Sequence, residues 1–278
     1  AQCLVGSEMC IRDSRGPVVE EANRMEACGT QVLKLNIGNP APFGFRTPDE
    51  VIYDMSHQLT DCEGYSPSQG LFSARKAIMQ YAQLKKLPNV SIDDIYTGNG
   101  VSELINLCMS ALLDDGDEIL IPSPDYPLWT ACATLAGGKA VHYICDEQSE
   151  WYPDIDDMRK KITDRTKAIV IINPNNPTGT YVPIGELEAF ADTLPEDVLL
   201  VMDEAYMEFA TEPDCCSMVD YMKAHPEKPI LVLRTFSKYY AMAGLRVGYA
   251  LGSEELIGIM RKCSASWNLN VCAQKAAE

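Results

Sequence analysis

Histidine is scarce in this chain, with His57, His142 and His225 the only three among 278 residues. The eleven cysteines include no C-x-x-C pair, so no ligand set with metal spacing is present and metal catalysis is not expected. Basic residues are in deficit, with 23 Lys and Arg against 40 Asp and Glu and a net charge of −17. That is the wrong sign for a nucleic-acid surface, which needs clustered cations against phosphate. No apolar run approaches the roughly 20 residues that span a bilayer, so no membrane segment is expected. Neither G-x-x-x-x-G-K-[ST] nor G-x-G-x-x-G occurs, which argues against nucleotide binding. The start has no initiator Met and no basic stretch leading into an apolar one, so a signal peptide is not supported.

What is present is ordinary for a soluble globular protein: 46% hydrophobic and 23% charged residues. The cysteines sit in apolar contexts, as at Cys108, Cys145 and the adjacent Cys215 and Cys216. Reduced, mostly buried thiols in a cytoplasmic protein fit this better than a disulfide framework. Residues 1–14, AQCLVGSEMCIRDS, resemble a translated adapter and are expected to be a non-native leader. The last residues, NVCAQKAAE, stop inside a helical pattern, so the chain is expected to be a fragment.

From Arg15 onward two periodicities alternate. Apolar residues spaced by three and four predict helices over 17–28, 71–87, 101–113 and 184–194. Short β-rich runs lie at 118–123, 140–145, 167–174, 198–204, 229–236 and 246–252. Several are apolar on both faces, as a sheet covered by helices on each side requires. The expectation is an α/β fold in three layers, with a mostly parallel sheet. In such sheets ligands bind beyond the carboxyl ends of the strands, so the residues after each apolar run come next.

Five such places carry unusual residues. GNG precedes VSEL, where the free N–H groups of a helix start, with Ser102 in the first turn, can hold an anion. PDYPLW offers Tyr126 as an aromatic face for a flat ring. NPNNPTG is a loop stiffened by two prolines with Asn176 at its centre. DEAY places Asp203 at the end of an apolar strand, where a bare carboxylate is costly, with Tyr206 three residues on. Thr235, Ser237 and Lys238 follow another strand, and Arg246 supplies a planar fork suited to phosphate. Singly, each has a plain structural explanation as a cap, a core aromatic, a turn or a solvated charge. Jointly they offer an amine, a carboxylate, a phenol, an aromatic face, an amide and a phosphate cradle, and pyridoxal 5′-phosphate uses all six.

NPNNPTG, DEAY and SK-x7-R in this order resemble the fold-type I, class I/II aminotransferases over about residues 15–278. The resemblance implies pyridoxal 5′-phosphate as cofactor and Lys238 as the amine that condenses with its aldehyde and later shuttles the substrate Cα proton. It implies Asp203 at the pyridine nitrogen, Tyr206 and Asn176 at the phenolic oxygen, and Tyr126 stacked on the ring. Val101, Ser102, Thr235 or Ser237, and Arg246 would hold the phosphate. Tyr65, in GYSPSQG, resembles a tyrosine that reaches the neighbouring subunit's phosphate, which implies a homodimer with shared sites. Gly38, in LNIGNP, matches a loop that touches the substrate carboxylate, beside Asn176. The implied domains are an N-terminal segment of the small domain at 15–46, a large cofactor-binding domain at 47–265, and at 266–278 a helix leading to an absent C-terminal small domain. The family's carboxylate-binding arginine would fall in that absent part, so the fragment is expected to transaminate poorly or not at all.

Two subfamilies divide the chain. LKLNIGNPAPFGF, GNGVSELI, PDYPLWTA and GKAVHYICDE resemble bacterial alanine (glutamate–pyruvate) aminotransferases. From about Thr180, DEAYMEFA, RTFSKYYAMAGLRVGYA and WNLN resemble histidinol-phosphate aminotransferases, which suggests a chimeric assembly; a natural intermediate is the alternative. The expected function is amino transfer between an amino acid and a 2-oxo acid, of alanine or glutamate type. A histidinol-phosphate aminotransferase, another pyridoxal enzyme such as a carbon–sulfur lyase, and a non-catalytic cofactor-binding module are the competing readings.

Overall fold

The computed structural model describes residues 17–34 and 38–278; the expected leader at 1–14 lies outside the described residues. Helix α1 (Pro17–Ala27) leads into α2 (Asp49–His57) and α3 (Phe72–Leu84). Then strands and helices alternate: β1 (Ile95–Gly98), α4 (Gly100–Leu112), β2 (Glu118–Ser123), α5 (Leu128–Leu135), β3 (Lys139–Asp146) and the short β4 (Tyr152–Pro153). They continue as α6 (Ile155–Lys161), β5 (Thr166–Ile172), α7 (Ile184–Asp192), β6 (Leu199–Asp203), α8 (Val219–Ala224), β7 (Ile230–Thr235) and β8 (Gly248–Leu251). Helices α9 (Glu254–Cys263) and α10 (Val271–Ala276) close the chain.

The strands form one eight-stranded sheet in the order β1-β8-β7-β6-β5-β2-β3-β4. From β7 across to β3 the pairings are parallel, and β8 runs antiparallel to both its neighbours. This is the mostly parallel α/β sheet that the apolar runs predict. Along β5, β6 and β7 the residues are buried on both faces, apart from the half-buried Lys167. Alternate residues therefore feed two cores. Ile169, Leu200, Met202 and Val232 join α3, α7 and α8 on one side, while Val170, Val201 and Leu233 join α4, α5 and α9 on the other. Near the C-terminus α10 packs Ala273 and Ala276 against Met242, Val247 and Leu269, with Val51 and Met55 of α2 alongside.

Strand reversal at β8 positions the site. Because β8 is antiparallel, its first residue, Gly248, lies at the edge where the other strands end, opposite both Gly98 and Thr235. A Cβ on Gly248 would stand 2.9 Å from the Arg234 carbonyl oxygen and 3.0 Å from the Val101 nitrogen. Only glycine lets the start of α4, the end of β7 and the approach to β8 meet this closely. Among the described residues no helix is long and apolar enough to cross a membrane, and no group of His, Cys, Asp or Glu is arranged to hold a metal.

Candidate active site

The flagged residues lie where the topology puts loops. Gly98 ends β1, Asp203 ends β6 and Thr235 ends β7, with the NPNNPTG loop following β5. Strand pairing sets Ile172 opposite Asp203 and Asp203 opposite Leu233, so these loop starts are adjacent.

Asp203 is 3% exposed. Its Oδ2 accepts the indole N–H of Trp129 at 3.1 Å, and its Oδ1 accepts the Ala205 N–H at 3.2 Å. Burial pushes this carboxyl up to about 6; the two donors and the positive Lys238 pull against that rise, and Glu204 adds to it. A carboxyl so tuned holds or gives up a proton near neutrality. Beside it, burial and then the Asp203 charge raise the Tyr206 phenol to about 12, so it stays protonated. Asn176 Nδ2 donates to Tyr206 Oη at 3.4 Å.

Lys238 is half-buried, and its Nζ donates to the Gly38 carbonyl at 2.8 Å. The same ammonium lies 5.6 Å from the Tyr206 ring centroid. A Cβ on Gly38 would fall 2.8 Å from Lys238 Nζ and 3.0 Å from Tyr206 Oη, so a larger residue there would push the tips of both side chains away. The structure thus gathers Lys238, Asp203, Tyr206, Asn176 and Gly38.

A second cluster surrounds the start of α4. Gly100, at φ +73°, would drive a Cβ to within 2.6 Å of the Arg246 guanidinium. Arg246 is exposed, with one fork nitrogen on the Ala243 carbonyl at 3.0 Å. Val101 and Ser102 follow in the first turn, where N–H groups have no partner within the helix. Thr235 Oγ1 accepts the Ser237 N–H at 3.1 Å, and both residues are buried at this edge. Glu103, in the same turn, is turned aside to the Asn99 N–H at 2.6 Å. Tyr65 makes its contact elsewhere: it is 82% exposed, with its ring stacked 4.6 Å from Trp267. Tyr126, half-buried, packs against the core that holds α4 and α5.

This donor set fits pyridoxal 5′-phosphate. A helix start beside a guanidinium suits the phosphate, a buried carboxyl near 6 suits a ring nitrogen, and a protonated phenol with an amide suits an oxyanion. A cleft of about 560 Å³ opens beside it, bordered by Asn176, Tyr206, Phe209 and Glu212, in the size range of small-molecule sites. Lys238 and Asp203 do not line that cleft, so it adjoins the chemical groups instead of containing them.

Two features escape a reading of single motifs. Trp129, wholly buried, reads from sequence as a core residue of a helix start, and only the fold turns its N–H toward Asp203. Arg234 is 5% exposed and bonds Glu204 Oε2 through two nitrogens, at 3.0 and 2.8 Å, and Glu208 through a third at 3.1 Å. A signal for it existed, because an arginine inside an apolar strand needs a buried partner as much as Asp203 does.

The sequence pattern of the family described as aminotransferase class I and II matches residues 30–278. Glutamate-pyruvate aminotransferase AlaA of Escherichia coli K12 is 46% identical over 282 residues, covering 96% of this chain and 67% of its own length. The chain therefore spans about two thirds of that relative. Histidinol-phosphate aminotransferase 2 of Carboxydothermus hydrogenoformans is 37% identical over 222 residues, covering 79% of this chain and 58% of its own. Among solved structures, alanine aminotransferase from Pyrococcus furiosus superposes with a TM-score of 0.89 at 36% identity, covering all of this chain and 71% of that one.

Proposed function

This chain belongs to the class I and II aminotransferase family, whose members depend on pyridoxal 5′-phosphate, and we propose that it derives from an enzyme that moves an amino group between alanine or glutamate and a 2-oxo acid. The observation that carries the reading is the meeting of Lys238, Tyr206 and Gly38 beside the buried Asp203. Identity to an alanine-type relative along 96% of the chain favours that substrate class over histidinol phosphate.

Bound here, pyridoxal 5′-phosphate supplies an aldehyde for the substrate amine and a ring that takes up electrons from the substrate Cα. Asp203 would keep a proton on the ring nitrogen, because a carboxylate buried beside that nitrogen favours its positive form. Tyr206 Oη and Asn176 Nδ2 would donate to the cofactor's phenolic oxygen, and Tyr126 would offer its ring face to the pyridine. The Val101 and Ser102 N–H groups, Thr235, Ser237 and the Arg246 fork bind the phosphate. Lys238 would be the amine that takes the group's aldehyde carbon and, in its neutral form, the base that moves the proton at the substrate Cα. Gly38 brings a backbone loop within reach of the substrate carboxylate.

Residues 47–265 serve as the large domain and 15–46 as part of the small one, with 266–278 as a helix leading out of the large domain. The protein works in the cytoplasm as a homodimer. Support for the dimer comes from the exposed Tyr65 and Trp267 pair, an outward aromatic surface that a second subunit's phosphate site can receive.

Purified chain given pyridoxal 5′-phosphate should acquire a visible absorbance band that borohydride fixes covalently on Lys238, as peptide mapping reads. L-Alanine or L-glutamate should then remove the band and release a 2-oxo acid. A band removed by histidinol phosphate alone would reassign the substrate, and a chain that takes up no band at all would overturn the reading.

A further inference from the structure

We infer that Trp129 is a positioning residue for amino transfer: its indole N–H fixes the Asp203 carboxylate and ties it to the turn that carries Tyr126. The inference rests on the reading of Asp203 as the partner of the ring nitrogen. A buried indole N–H without an acceptor is costly, so its direction is not arbitrary. In a helix otherwise packed with Ala131, Cys132 and Ala133, it points to Asp203 Oδ2 at 3.1 Å. With Ala205 on the other oxygen, the two donors set the plane of the carboxylate as well as its place. The backbone N–H of Trp129 meanwhile donates to the Tyr126 carbonyl at 3.1 Å. One residue thus links the group assigned to the ring's edge with the group assigned to its face.

The chemistry of the donor matters. Indole is donor-only and does not titrate, so it lends Asp203 a hydrogen bond without a charge. Lys238 and Tyr206 are the charged or titratable groups beside Asp203, and the charge of Glu204, turned to the other face of β6, also reaches it. An arginine in Trp129's place would hold the carboxylate ionised and poor in protons. A purely apolar residue would leave burial unopposed on that side.

The test begins with the cofactor-free 278-residue chain. The Asp203 carboxyl is followed by carbon-13 NMR against pH and assigned by its loss in Asp203→Asn. In Trp129→Phe, which keeps an aromatic ring and removes the donor, the midpoint should rise by about one pH unit, because a lost hydrogen bond to the charged form favours the neutral one. Trp267→Phe should leave it in place. With cofactor and substrate added, Trp129→Phe should lower kcat about 10-fold and leave KM within about 2-fold, as for an interaction used in the chemical step. An unmoved midpoint in folded Trp129→Phe would overturn the assignment. A companion measurement leaves Trp129 intact: in Trp151→Phe with Trp267→Phe, its emission should step at the Asp203 midpoint and lose that step in Asp203→Asn. Emission flat across that range would overturn the assignment too. Both titrations need no cofactor, so they can fail while the aminotransferase reading stands.

Discussion

Asp203 and Glu204 are neighbours at the end of β6, both almost wholly buried, and their surroundings are opposite. Glu204 meets a buried cation: two nitrogens of Arg234, the hydroxyl of Ser217 at 3.0 and 2.8 Å, and the Met218 N–H at 2.9 Å. Asp203 meets two neutral donors, from Trp129 and Ala205, which only partly offset the rise in proton affinity that burial causes. Alternation along a strand sends the two side chains to opposite faces, so one sequence step separates a brace from a reactive group. Glu204 locks β6 to β7 and to the start of α8, while Asp203 keeps its charge state open to a ligand. The brace makes the adjustable group possible, since it fixes the strand ends on which Asp203 and Lys238 stand.

The largest effect should fall on the reactive side alone. Lys238→Ala should abolish borohydride labelling and remove whatever transamination the parent chain shows. Its unfolding free energy should stay within about 1 kcal/mol of the parent, measured by urea titration. A large loss of stability would mean that Lys238 belongs to the brace as well.

Next is the brace itself. Glu204→Gln leaves Arg234 buried without its full counter-charge and should destabilise the fold by about 3–5 kcal/mol. The comparison would collapse if this variant kept its stability and lost only activity.

A third expectation concerns pH. With the folded Asp203 near 6 against an ordinary 3.8, the native state binds more protons than the unfolded one between those values. Asp203 therefore makes cofactor-free protein less stable as pH rises from about 4 to 6, by about 3 kcal/mol at most, with a plateau above. Unfolding curves of Asp203→Asn should lack that component.

The smallest effect sharpens the reactive side. Tyr206→Phe removes a hydroxyl kept protonated at neutral pH and should lower kcat about 10-fold. Loss of the hydrogen bond should also move the pH at which the bound cofactor's absorbance changes.

Much of this was legible without coordinates. The runs at 118–123 and 167–174 became β2 and β5 because strands apolar on both faces have few other ways to be buried, while 140–145 became β3, which buries Tyr143 and Cys145 and leaves Ile144 exposed. Helices expected at 17–28, 71–87, 101–113 and 184–194 appear within a few residues of those limits. Strand β1, four residues long, and the short helices α5, α6 and α8 carry too little periodicity to be read, since their burial is decided by neighbours. Lys238, Asp203 and Arg246 stood out because a charge beside an apolar strand is expensive to leave unexplained. Trp129 did not, because an indole in a helix looks the same whether or not its N–H has a carboxylate to reach.

Local chemistry determined which segments became strands and helices and which side chains were out of place in them, because those properties depend on residues close in the chain. The antiparallel turn of β8 depended on the whole sheet. It brings Gly248 between Gly98 and Thr235, sets Arg246 over Gly100, and leaves adjacent acids facing different partners. Such contacts join residues from separate strands and loops, Gly98 with Gly248 and Gly100 with Arg246 among them, and only packing in three dimensions can select them.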